Sequence, residues 1–344
     1  MTWVSPDATD LDLHALVRIR VVGNRDDLRV VTRQLGPLLA SDEGDPDIVV
    51  EFTDRIETGP LTFLGRDALA YDDRSVVVLR GKHKSSIRVR IEFDRLGSAC
   101  RIECERGAPA VPYLVAAANL AVLAHGAVAL HAAAIEHRGV GIVITGWSKG
   151  GKTESLLASL CRGGRYIGDE WVYLSGGGRA CGVPEPIRVW QWYLDQIAPL
   201  GIHLALGTRL RLALLTGADR LAGELRDRSP VVGVSRAAAR VRHAVDQQRY
   251  VDLPVTRVVG TEAARRCTTM QALVHVVSAN CHETTVERVD ASDVAHRMTA
   301  SLASERLPLM AAYHAHRYAF PDRPNPRIEG AEAAERERLA ADGV

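Results

Sequence analysis

One stretch of this 344-residue chain narrows the possible folds more than any other: GIVITGWSKGGKTESLLASL, residues 141 to 160. An apolar run, a glycine-rich turn and an apolar-periodic segment follow one another, which predicts strand, tight turn and helix. Within the turn, Gly146, Trp147, Ser148, Lys149, Gly150, Gly151, Lys152 and Thr153 fit the spacing G-x-x-x-x-G-K-[ST]. That spacing suits a polyphosphate. Backbone N–H groups converge on phosphate oxygens only where side chains are absent at the tightest points. The following helix offers its unpaired N–H groups and the positive end of its dipole to the anion. Lys152 would bridge β- and γ-phosphate oxygens, and the Thr153 hydroxyl would ligate Mg²⁺. Glu154 would support the metal or simply favour the first helical turn. Four constrained positions match by chance in about one chain in a hundred of this length.

Upstream of the turn, residues 11 to 106 carry short runs that alternate apolar with charged residues, among them ALVRIRVVG, PDIVVEFTD, SVVVLRG, SIRVRIEFD and SACRIECERG. Alternation of this kind predicts strands with one wet face, and an antiparallel sheet over residues 1–108. At GAPAVPYLVAAANLAVLAHG the period changes to that of a helix, and AVALHAAAIEH, GVGIVITG, RYIGDEWVYL and PIRVWQWYL read as further strands. Residues 195 to 245 are expected to be mostly helical, QALVHVVSAN a strand, and DASDVAHRMTASLASERLPLMAAYHAHRYAF a helix with an Asp or Ser cap. The expected units are 1–108, 109–320 and a solvated, flexible tail at 321–344.

Bulk composition removes some function classes. Net charge is +1, so no overall basic field points to nucleic acid or an anionic membrane. The longest apolar stretch, VPYLVAAANLAVLAHGAVALHAAAI, is broken by Asn119, His125, Gly126 and His131, which predicts a core helix and a core strand rather than a membrane span. No basic leader with an apolar run opens the sequence, and a cytoplasmic setting is expected. The six cysteines form no C-x-x-C pair, so buried thiols in a reducing compartment are the expectation. Cys100 and Cys104 should share one strand face. His314 and His316, two apart in a helix, diverge and make no zinc pair. Cys281 and His282 are expected in a loop.

Residues 130 to 174, LHAAAIEHRGVGIVITGWSKGGKTESLLASLCRGGRYIGDEWVYL, resemble the catalytic core of HPr kinase/phosphorylase and related serine-kinase-like proteins. That family has a histidine on the strand before the P-loop, then GVGVLITG, the P-loop itself, and an acidic pair after the next strand. The matching residues are His131, fifteen before Gly146, and Asp169-Glu170, beginning seventeen after Lys152. The resemblance implies an α/β fold: a P-loop kinase core of HPr kinase/phosphoenolpyruvate carboxykinase type with an N-terminal β-rich domain. It implies ATP and Mg²⁺ as cofactors and transfer of the γ-phosphate to a hydroxyl. Asp169, at the sheet edge beside the turn, is expected to be the base that takes the hydroxyl proton. Glu170 would face the other side if the strand continued through it, reaching Mg²⁺ directly or through water. His131 would partner a phosphate or an acidic residue, or else be a satisfied core histidine.

The match has departures. Glu170 stands where the family has Asp. The downstream signature around RGLGIINV, tied to the phosphorylase reaction, has no counterpart, and GVPEPIRVWQWYL occupies the region. Transfer also calls for a second cation on the phosphate, with Arg188, Arg236, Arg240, Arg242 and Arg249 as candidates. Trp190, Trp192 and Tyr193 could line an acceptor pocket or pack on a sheet. The expected acceptor is a Ser or Thr of a small protein or peptide, as in peptide natural-product pathways, with a small-molecule alcohol as the alternative. No nucleic-acid or membrane partner is expected, and a homo-oligomer is compatible. A regulatory protein that binds ATP without transferring it would need Lys152 and Thr153 but not Asp169. Phosphoenolpyruvate carboxykinase activity would require His and Lys ligands for a second metal, which the sequence does not display.

Overall fold

The computed structural model describes residues 8–40, 44–65, 68–79, 87–228, 232–260, 267–280 and 283–341. Cys281 and His282 lie outside the described residues. The described residues open with β1 (Ala8–Leu13) and β2 (Val17–Val22), joined by a tight turn in which His14 and Ala15 both take positive φ, 63° and 61°. Such a turn matches the twist of a hairpin. Next, α1 (Arg25–Leu35) starts at Asn24, whose side chain accepts from the N–H groups of Asp26 and Asp27 while Asp27 reaches back to the Asn24 N–H. The helix carries the chain across the sheet, so β3 (Ile48–Thr53) runs parallel to β2. Then β4 (Thr62–Phe63), β5 (Leu69–Tyr71), β6 (Ser75–Val78), β7 (Val89–Glu92) and β8 (Cys100–Glu105) form an antiparallel meander that returns β8 parallel to β3. The order is β1-β2-β3-β8-β7-β6-β5-β4. The expected purely antiparallel sheet is thus mixed, because the α1 crossover and the long return each force a parallel pair.

The next helix, α2 (Leu114–Ala124), leads into β9 (Val128–His137), β10 (Val140–Gly146), α3 (Lys152–Leu160), β11 (Arg165–Gly168), β12 (Trp171–Ser175), β13 (Arg179–Gly182) and β14 (Ile187–Trp190). After two 3₁₀ turns come α4 (Leu206–Arg228) and α5 (Val232–Asp246), packed on each other, then β15 (Tyr250–Leu253), α6 (Val255–Val259), β16 (Cys267–Val276) and α7 (Ala291–Ala319). Strands run in the order β10-β16-β13-β12-β9-β11, and β10 pairs with β9 as well, so five of them close into a hydrogen-bonded ring. A separate pair, β14 and β15, lies outside it.

Both faces of β9 are covered, which explains its unbroken apolar run. Ala133 and Ile135 pack with Leu156, Leu157 and Leu160 of α3, while Ala132 and Ala134 pack with Val294, Met298 and Leu302 of α7. Where β11 meets β13, Gly168 and Gly182 touch backbone to backbone. A Cβ on Gly182 would sit 2.1 Å from the Ile167 carbonyl oxygen, so only glycine permits the approach.

The C-terminal residues are not a solvated tail. Asn325 is buried and donates to the carbonyls of Phe93 (2.8 Å) and Leu96 (3.0 Å). It caps α8 (Pro326–Glu329), and α9 (Ala331–Ala341) follows. Ile328, Ala331 and Leu339 are fully or almost fully buried, and Glu335 pairs with Arg306 of α7 at 3.0 Å. The charge-rich composition hid an apolar face. Burying Ile328 and Leu339 contributes about 1.5–3 kcal/mol each. One cluster joins the first sheet, α2, Leu309 and Tyr313 of α7, and Ile328, so residue 108 marks no gap in the packing.

A further correction concerns the cysteines. Cys181 on β13 and Cys267 on β16 stand directly opposite one another and form a disulfide. Cys100 and Cys104 share the inner face of β8 as thiols, and burial pushes both up to about 12. His316 lies inside α7 among Phe93 and Phe320, at 5.7 and 5.4 Å between ring centres. Among the described residues no helix is long and apolar enough to cross a membrane.

Candidate functional site

The glycine turn sits where β10 ends, held beside β16 through the parallel pairing of Gly146 with Val276. Gly146 has φ 155°, and a Cβ there would meet the Val276 carbonyl oxygen at 2.5 Å. The turn closes with Gly150 N–H donating to the Trp147 carbonyl at 3.0 Å. Lys149 and Gly151 take φ 61° and 103°, and α3 starts at Lys152 with no side chain capping it. The first N–H groups of α3 are therefore available to an anion.

Lys152 is buried, and its ammonium donates to the carbonyls of Gly146 (3.2 Å) and Trp147 (3.0 Å). Burial pulls its pKa down against the pull of the nearby carboxylates of Glu170, Asp169, Glu305 and Glu154. The next residue, Thr153, donates its hydroxyl to the Asp169 carboxylate at 3.1 and 3.2 Å. Asp169 is 2% exposed. Burial first, then the charge of Glu170, pushes it up to about 7, against the Thr153 hydroxyl and Lys152.

Asp169 and Glu170 do not continue a strand. β11 stops at Gly168, β12 starts at Trp171, and Trp171 N–H donates to the Asp169 carbonyl at 2.8 Å across a three-residue turn. Glu170 takes φ 64°, an uncommon and strained choice for this residue. The turn brings both carboxylates into one cavity of about 160 Å³ rather than onto opposite faces. That corrects the expectation of divergent side chains.

His131 comes from β9 and is 7% exposed. Its Nε2 lies 3.1 Å from Glu170, and its Nδ1 forms an ion pair with Glu305 of α7 at 3.0 Å. Its ring also rests against Trp171 at 5.7 Å. Burial alone would lower its pKa, but the two carboxylates outweigh this and raise it to about 9. It is an acidic-residue partner, charged at neutral pH. Hydrogen bonding to His131 in turn holds Glu170 below its ordinary value.

Ser148, Lys149, Gly150 and Gly151 line the same cavity, as does the side chain of Glu154, whose carbonyl accepts from the Tyr193 hydroxyl at 2.9 Å. Gly146 supports the turn from the strand end, and Trp147 is 57% exposed outside the lining. Of the candidate arginines, Arg188 reaches the cavity. It binds Asp252 through Nε (2.8 Å) and Nη2 (3.3 Å) and lies 4.1 Å above the Tyr250 ring. Arg242 and Arg249 are held by Asp219, and Arg236 and Arg240 lie on the exposed side of α5. Trp190 lines the cavity 5.8 Å from the Lys149 ammonium, whereas Trp192 and Tyr193 belong to a 3₁₀ turn and do not alternate on a strand.

Two residues went unread in the sequence. Glu305 sits in a long helix with no motif around it. Glu185 has a sealed, unpartnered Oε1 and is raised to about 8 by burial and then by Glu170. The assembled site combines N–H groups that no side chain caps, the cations Lys152 and Arg188, oxygen atoms of Thr153, Asp169 and Glu170, and a carboxyl poised near neutrality. No family model matches the chain, and a search of curated proteins finds no match.

Proposed function

We propose that this chain is an ATP-dependent, Mg²⁺-requiring phosphotransferase that delivers the γ-phosphoryl group to a hydroxyl. It would be a P-loop kinase core like that of HPr kinase/phosphorylase, with a Ser or Thr of a small protein or peptide as acceptor. The observation that carries this reading is the contact of Thr153 with a buried Asp169 whose pKa lies near 7, at the mouth of the glycine turn.

Each residue then has a role. The N–H groups at the start of α3, with those of the turn other than Gly150, would cradle the phosphates, and Lys152 would turn to them from the turn carbonyls. Thr153 and Glu170 offer the hard oxygens that suit Mg²⁺, which would neutralise charge on the phosphates. Asp169 takes the proton of the acceptor hydroxyl as its oxygen bonds to γ-phosphorus and the bond to the ADP oxygen breaks. A carboxyl titrating near 7 is matched to that task at neutral pH. Arg188 and the His131 imidazolium supply further positive charge, and Glu305 holds His131 in place.

The test is calorimetry of ATP with magnesium on the full chain, followed by transfer from radiolabelled ATP to Ser- and Thr-containing peptides and small alcohols. Wild-type protein should bind ATP. Lys152→Met should weaken binding at least tenfold while leaving the melting temperature unchanged or higher, because a buried ammonium is costly. Folded wild-type protein that ignores both ATP and GTP would overturn the reading.

A further inference from the structure

A second cluster of reactive side chains lies far from the glycine turn. Cys267 opens β16, and Val276, the partner of Gly146, closes it, so the two ends are about 30 Å apart at 3.3 Å per residue. Cys267 faces Cys181 across the β13–β16 ladder. The β1–β2 turn of the first sheet places His14 over this pair. Its Nε2 lies 2.7 Å from the Gly182 carbonyl, and Arg179 donates to the His14 carbonyl at 3.3 Å.

A carbonyl only accepts, so the His14 ring donates from Nε2, and Nδ1 is the nitrogen turned toward the sulfurs. That nitrogen is 3.6 Å from the Cys267 sulfur. The same pattern orients metal-bound histidines: one nitrogen ligates while the other donates to a backbone carbonyl. The His14 nitrogen and the two sulfurs all lie within 4.8 Å of one another. Once the disulfide is open, the two sulfurs would part so that each could take a zinc bond of about 2.3 Å, with one of about 2.0 Å to nitrogen. His14 and Cys181 are buried, whereas Cys267 is partly exposed and lines a cavity of about 490 Å³ with Glu136, Thr268 and Gln271. A fourth position is thus open to water on that side.

We propose that, in its thiol state, this cluster binds one zinc ion through the sulfurs of Cys181 and Cys267 and Nδ1 of His14. Breaking the disulfide takes two electrons and two protons: two molecules of a thiol supply both and become a disulfide, whereas a phosphine supplies the electrons, water supplies the protons, and the phosphine leaves as its oxide. Zinc binding then releases the two thiol protons to solvent. Disulfide and zinc compete for the same sulfurs, so a small disulfide that takes two electrons from the thiolates, and is itself reduced to two thiols, expels the ion. The zinc state adds a coordinate bond at His14 to the hydrogen bonds and apolar packing that already join the first sheet to the strand ring.

The test is a cobalt titration of the full chain, reduced with a phosphine under anaerobic conditions, with Co²⁺ as the spectroscopic stand-in for zinc. The expected result is one equivalent bound, with thiolate-to-cobalt charge-transfer absorption and the intense visible bands of a tetrahedral site, bleached by added Zn²⁺. Cys181→Ser and Cys267→Ser should each lose most of the charge-transfer intensity. His14→Gln should weaken affinity at least tenfold. The oxidised protein should bind none. Failure of reduced wild-type protein to take up Co²⁺ or Zn²⁺ at micromolar concentration overturns the proposal without reliance on any variant. Full binding by a Cys181→Ser/Cys267→Ser double variant does the same.

Discussion

Replacing Asp169 with asparagine should make the protein more stable and inactive at once. Burial moves this carboxyl from 3.8 to about 7. Because the folded value exceeds the unfolded one, the group's contribution is fully present below 3.8 and is lost as pH rises through about 7. Above that range the folded chain carries an ionised carboxylate at a cost of about 4 kcal/mol relative to the unfolded chain. Asparagine keeps the shape and still accepts from Thr153, but a neutral acceptor is weaker by about 1 kcal/mol. The net gain should therefore be about 3 kcal/mol at pH 8.5 and under about 1 kcal/mol at pH 5. Urea unfolding of both proteins at the two pH values measures the difference, and calorimetry with ATP and a transfer assay complete the comparison. The variant should bind nucleotide and transfer nothing. A stability gain equal at pH 5 and 8.5 would refute the buried-carboxyl argument, and transfer at the wild-type rate would refute the assignment of the base.

Three more outcomes are expected. His131 is raised from 6.5 to about 9, so its contribution is complete below 6.5 and disappears as pH climbs through 9. His131→Gln should cost about 3 kcal/mol at pH 6 and little at pH 10, as read by chemical denaturation, and equal losses at both would contradict the Glu170–His131–Glu305 account. Gly182→Ala places a methyl 2.1 Å from the Ile167 carbonyl oxygen and should destabilise by about 3 kcal/mol. A thermal melt superimposable on wild type would show that β11 and β13 do not approach as described. A chain ending at residue 320 should lose cooperative unfolding and bind a hydrophobic dye, since it lacks Ile328, Ala331 and Leu339. A sharp melt at the wild-type temperature would count against the shared core.

Much of the strand content was legible because period-2 alternation is a local property of each segment. Partner choice is not, and nothing within Ile48–Thr53 states that both of its neighbours run parallel to it. α1 was missed although Leu28, Val31 and Leu35 keep helical spacing, because they are scattered among charges that also suit a turn. The glycine turn was legible through its own spacing, whereas Asp169 and His131 were picked out by the resemblance of residues 130 to 174 to a known family, and all three line one cavity. Whether Asp169 and Glu170 diverge or converge depended on one backbone angle at Glu170, which the order of residues does not reveal. Glu305 enters from a helix far along the chain, and the two bonded cysteines are 86 residues apart, so neither leaves a local pattern. The C-terminal segment was misread on composition, because Ile328, Ala331 and Leu339 are few among many charges.

The return of the last residues to the first sheet sets an order of events during synthesis. Hydrogen bonds from Asn325 satisfy carbonyls of Phe93 and Leu96, and Ile328 seals the same layer. On the ribosome, that layer cannot close until residues 325 to 328 have emerged, more than two hundred residues after Leu96. Until then α2 covers part of the early-made sheet while the Phe93 and Leu96 carbonyls wait for Asn325, an exposure of the kind that chaperones shield during synthesis.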